Sequence, residues 1–164
     1  MPQTSILDRS LELVKVDFTP VHRQPPKSRL VIASLVALTG SLLADALLVL
    51  AGKAVFPSTK NYGHFMFSDY AKLTIVGVVV ACVAWPIVTR ISSAPRWLFF
   101  RLAIAVTLVL LLPDLYILKQ GQPATAVAVL VCMHLAIALV TYGALIHVAP
   151  IGAEVRSDEG DKGS

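Results

Sequence analysis

A run of about 23 apolar residues, Leu30 to Gly52, is interrupted by a single charge, Asp45. Coiled as an α-helix at 1.5 Å per residue, such a run crosses a bilayer core of ~30 Å. Counting back from Asp45 in fours gives Ser41, Ala37 and Ala33, with Gly40 and Ala44 flanking that line. The one costly residue therefore shares a face with the small residues that let another helix come close. A carboxylate at this depth faces a bundle interior or a wet cavity, so the rest of the chain must supply one.

Three further apolar runs follow, at about 70–90, 97–118 and 123–148. Hydrophobic residues make up 56% of the 164 and charged residues only 15%. Soluble domains carry about 45–50% and about 25%, so the composition points to one membrane domain with no second soluble one. The fold expected is an all-α four-transmembrane-helix bundle over 30–150. It is preceded by a cytoplasmic segment and basic, Pro-rich linker over 1–29 and followed by a disordered charged tail over 151–164.

The connectors give local detail. Gly52 is placed to end the first helix. Thr74, Gly77, Ala81 and Ala84 form a small-residue seam on the second, and Pro86 predicts a kink there. Ser92 or Ser93 is placed to cap the third helix, with Pro95 in its first turn. The short connector Lys-Gln-Gly-Gln-Pro over 119–123 makes the last two helices an antiparallel hairpin. Four spans put the two termini and the second connector on one side. That side holds ten Lys and Arg against four on the other, which places both termini in the cytoplasm of a multi-pass plasma-membrane protein.

Two segments look built for contact. Leu7, Leu11, Val14 and Phe18 fall within one helical arc, the pattern of an amphipathic helix on a membrane surface or partner. Leu11, Leu13, Val16 and Phe18 equally suit a short strand. Phe56, Tyr62, Phe65 and Phe67 crowd the longest connector, where aromatics either anchor helix ends or dock a partner subunit.

The chemistry-bearing residues inside the spans are Asp45, Asp114 and His134. In the expected topology Asp45 lies roughly 10 Å, and Asp114 about 6 Å, from the outer ends of their helices. Lys53 and Lys72 sit at the outer rim, so all of these could converge on an outward-facing polar pocket. Paired carboxylates with an imidazole in a low dielectric suit proton relay or cation binding. The plainer alternatives pair Asp114 with Lys119 and give His134 a single backbone hydrogen bond. Enzyme readings lack their parts: there is no CxxC, no HExxH and no Gly-rich phosphate loop. Neither intramembrane aspartate has a GxGD context. No metal, cofactor or nucleic-acid signal is present, and the net charge of +4 sits where helices leave the membrane. Cys82 and Cys132 lie in apolar runs and read as reduced core thiols.

Four spans, a polar residue late in the first, and the phrase LVCMHLAIALV at 130–140 resemble a family of small uncharacterised four-helix membrane proteins of actinobacteria. The resemblance covers about 29–150 and implies no established activity. It implies a role such as accessory subunit of a larger assembly, for example a mammalian-cell-entry type lipid transporter or a respiratory supercomplex. The leading expectation is thus a non-enzymatic accessory subunit in the lipid bilayer, a lipid-transport machine first and a respiratory complex second. The alternative is a small proton- or cation-coupled transporter, a homo-oligomer working through Asp45, Asp114 and His134.

Overall fold

The computed structural model describes Val16 and residues 23–59 and 66–152. These residues form four long helices: α1 (Lys27–Val55), α2 (Phe67–Ile91), α3 (Pro95–Lys119) and α4 (Ala124–Val148). Each is long and apolar enough to cross a membrane, and no strand occurs among the described residues. The chain is a multi-pass membrane protein with an all-α four-helix fold. The helices run up and down. One end of the bundle, here the terminal end, gathers Lys27, Ile91, Pro95 and Val148; the other is the distal end.

α1 and α4 share the broadest contact, α3 packs on α4, and α2 packs on α1. The buried line of α1 is Ala33, Ala37, Ser41, Asp45, Val49 and Gly52, the face expected from the count in fours. Glycine is needed where α1 meets α4. A Cβ on Gly40 would stand 2.9 Å from Val140 Cγ1, and one on Gly52 would stand 2.9 Å from Val129 Cγ2. Gly52 therefore serves close packing and does not end the helix, which continues to Val55. Its carbonyl accepts from Phe56 N–H at 2.8 Å and from the Thr59 hydroxyl at 3.1 Å, as the short 3-10 turn Pro57–Thr59 folds back.

α2 differs from its expected seam. Its buried residues are Tyr70, Ala71, Thr74, Val78, Trp85, Val88 and Thr89. Gly77, Ala81 and Ala84 are only half-buried, and a Cβ on Gly77 would meet nothing within 4 Å. Large side chains, Trp85 above all, fill this interface, so the backbones need not approach. α2 also starts earlier than expected, at Phe67, with Asp69 in its first turn, where the helix dipole favours an acid. Phe67 thus belongs to a helix, edge-on to Tyr70 at 5.4 Å, and is exposed. Phe56 lies just past α1 and is partly exposed; Tyr62 and Phe65 lie outside the described residues.

Ser92 does not cap α3 in the expected way. It accepts from Ala94 N–H at 3.1 Å, Ala94 is the N-cap, and Pro95 takes the first helical turn. α3 closes through Gly121, whose φ of 87° is the left-handed conformation that glycine adopts freely. Gly121 N–H donates to the Leu118 carbonyl and Gln122 N–H to that of Ile117, a Schellman ending that reverses the chain into α4.

The terminal end is tightly tied. Trp85 is fully buried and donates from Nε1 to the Ala149 carbonyl at 3.0 Å. It lies against Phe99, which stacks on Tyr142. Gln24 and Thr89 bond reciprocally: the Thr89 hydroxyl donates to Gln24 Oε1 at 2.8 Å, and Gln24 Nε2 donates to the Thr89 carbonyl at 3.0 Å. Gly152 N–H donates to the Arg23 carbonyl at 2.9 Å, and Ile151 packs on the aromatic core. Arg23 to Pro26, expected as linker, and Ile151 and Gly152, expected as tail, thus pack on or bond to the bundle. Val16 forms an isolated antiparallel bridge with Ser92, extended backbone and not helix at that residue. Leu7, Leu11, Val14 and Phe18 lie outside the described residues.

Candidate functional site

The distal half of the bundle holds the ionisable residues. Asp45 stands ten residues before the end of α1, and His134 ten residues after the start of α4. At 1.5 Å per residue both lie about 15 Å from the distal ends of their helices, at one level. Thr74 on α2 and Asp114 on α3 lie about 10 Å and about 8 Å in by the same rise.

Asp45 is fully buried, and its Oδ2 accepts from the Thr74 hydroxyl at 2.6 Å. Thr74 Oγ1 also lies 2.9 Å from the Tyr70 carbonyl, one turn back on its own helix. Asp45 Oδ1 has no hydrogen-bond partner among the described residues. One turn toward the terminal end, Ser41 and Thr141 pair their hydroxyls across α1 and α4 at 3.3 Å.

Asp114 is also buried, although most of α3 is exposed. Phe99, Ala103, Thr107 and Leu111, in steps of four, and then a step of three lead to it, a line that turns from buried to half-buried and back to buried. Asp114 Oδ2 sits 3.1 Å from His134 Nδ1, at ion-pair distance but without hydrogen-bond geometry. His134 Nδ1 is also 3.0 Å from the Leu130 carbonyl. Both neighbours are acceptors, so Nδ1 is assigned the hydrogen. The His134 imidazole lies within electrostatic range of Asp45 as well.

Asp114 and His134 are therefore brought together, and Asp45 lies at the level of His134 with Thr74 as its hydrogen-bond partner. The ion-pair partner of Asp114 is His134 and not Lys119, and Asp45 makes no ion pair with Lys53 or Lys72 among the described residues. Lys72 and Lys119 are exposed and Lys53 is half-buried. Two polar partners were not legible as such. Thr74 looked like a spacer in a small-residue seam, and Thr141 drew no notice, although it falls two turns after His134 on the same face of α4. No group of three or more His, Cys, Asp or Glu able to hold a metal occurs among the described residues. What remains is the Asp114–His134 pair of α3 and α4 and, at the level of His134, a buried Asp45 on α1, with hydroxyls from α1, α2 and α4 in the same half of the bundle. Such a set can take up and release protons, or hold one small cation, within a low dielectric.

Comparison with curated proteins yields no match, and comparison with solved structures yields none. A family model does match, over residues 25–150, which takes in all four helices. The chain belongs to that family, a family of unknown function, DUF6069.

Proposed function

We propose that this protein is a small, non-enzymatic transporter of the plasma membrane that binds and moves a proton or a small cation through Asp45, Asp114 and His134. One observation carries the reading. Two carboxylates buried in an apolar bundle each keep an oxygen without a hydrogen-bond partner, at the level of one imidazole. Buried polar atoms without partners are rare and costly, and intramembrane carboxylates most often mark an ion pathway. The basic-residue bias favours cytoplasmic termini, so the cluster would open toward the outside. Purified protein in liposomes should move protons or a monovalent cation down a gradient, and Asp45→Asn should stop that flux. Absence of flux in the wild type ends the reading. Orientation is checked with both native cysteines replaced: a cysteine at Met66 should react with an impermeant reagent on intact cells, and one at Ser93 should not.

A second reading has its own support. The Val16–Ser92 bridge sets Val16 on the α2–α3 connector, within reach of a partner on that side. On that reading the chain is an accessory subunit of a larger complex, a lipid-transport machine first and a respiratory supercomplex second. Affinity purification from gently solubilised membranes would then recover a stoichiometric large partner, lost on changing Leu11 and Phe18 to Asp.

A further inference from the structure

We infer that the species held at this site is a proton on Asp45 Oδ2, and that the Thr74 hydroxyl is the positioning group that holds it. The inference rests on the transporter reading above and narrows it. It follows from what surrounds a fully buried carboxyl. The Thr74 hydroxyl has one hydrogen and two oxygens within reach, Asp45 Oδ2 at 2.6 Å and the Tyr70 carbonyl at 2.9 Å. A carbonyl cannot donate, and neither can a bare carboxylate. If Asp45 is ionised, the two acceptors compete for a single hydrogen. If Oδ2 carries a proton, Asp45 donates to Thr74 and Thr74 donates to Tyr70, and every oxygen in the chain is served. The 2.6 Å separation suits both an acid donor and a charge-assisted acceptor, and a threonine hydroxyl can sit between two acceptors, as Thr59 does between the Gly52 and Phe56 carbonyls; what decides is that the carboxyl is fully buried with Oδ1 unpartnered among the described residues.

The surroundings agree. Asp45 Oδ1 lacks a partner, which is far cheaper for the carbonyl oxygen of a neutral acid than for a buried carboxylate. The ionisable groups facing Asp45 are Tyr70 from α2 and His134 from α4, with Asp114 of α3 drawn to His134. Lys53 of α1 lies two turns further out. No cation is therefore fixed against Asp45 itself. A metal cation would need several free oxygens, yet beyond Thr74 the hydroxyls of Ser41, one turn away on α1, and of Thr141 are paired with each other. A proton needs one.

Infrared spectroscopy of the purified protein in liposomes at neutral pH tests this directly. The wild type should show the carbonyl stretch of a protonated carboxylic acid, and ¹³C-labelling of aspartate should shift it. Asp114→Asn should keep the band and Asp45→Asn should remove it. Thr74→Val should keep the band but move it to higher frequency, because the acid loses its acceptor. Labelling identifies an aspartic acid without any substitution, so the test survives a variant that does not fold. The inference is overturned if no aspartic-acid band appears, if the band goes with Asp114→Asn, or if sodium or potassium chloride at constant pH converts it to carboxylate. A band on Asp45 in a protein that moves nothing would retire the transporter reading and leave the bound proton standing. Sodium flux with Asp45 ionised would do the reverse.

Discussion

The two ends of this bundle are built on different physical terms. At the terminal end, Trp85, Phe99 and Tyr142 fill space, and the backbone at Arg23 and Ala149 is tied to neighbouring elements. Around Asp45, the packing relies on small residues, on glycine at close approaches, and on carboxylates and hydroxyls that meet across helices. In a bilayer the hydrophobic effect does not favour helix association, because lipid is as apolar as leucine. Shape and polar contacts must do it, and this protein uses shape at one end and polar contacts toward the other. The difference separates a holding region from a working region: a packed aromatic tolerates no change of volume, while a hydroxyl or carboxylate can exchange a hydrogen without moving a helix.

That division can be broken by measurement, in detergent-unfolding titrations for stability and in liposomes for flux. The largest loss is expected for Trp85→Ala, about 3–5 kcal/mol, since it removes a fully buried indole. Gly52→Leu should cost about 1–3 kcal/mol through collision with Val129, whereas Gly77→Leu, facing open space on α2, should cost much less. Asp45→Asn should change stability by only about 0.6 kcal/mol, the average worth of an interhelical hydrogen bond, while abolishing flux. If it destabilises as much as Trp85→Ala, the polar cluster is holding the bundle together and the division fails. The smallest effect, within about 0.5 kcal/mol, is expected for Leu108→Ala on the exposed middle of α3.

The polar interior was legible where a rare residue type met a regular spacing. One carboxylate in an apolar run, with small residues every four positions before it, is enough to fix the buried face of α1. Asp114 and His134 stood out for the same reason, because ionisable side chains are scarce in these spans. What the chain did not reveal was which ordinary residues would meet them. Thr74 and Thr141 are unremarkable in an apolar helix, and only the register between helices makes one a hydrogen-bond partner for Asp45 and the other a partner for Ser41. The seam on α2 misled for a related reason. Small residues permit close approach but do not compel it, and Trp85 fills that side of the bundle instead. The ends of α1 and α2 were set too short because apolarity was used as the limit, whereas a helix continues through polar residues while its backbone bonds are met.

The bonds that join the start of α1 to the exit of α4 bear on how the protein is made. Trp85 is synthesised long before Ala149, and Arg23 long before Gly152, so each must wait for its partner until the fourth helix has left the ribosome. During that interval an indole N–H and a backbone carbonyl stay unmatched at the membrane boundary. A chain cut short anywhere before residue 149 would keep them so permanently. The last few packed residues thus complete bonds that a three-helix fragment would leave to water or lipid headgroups.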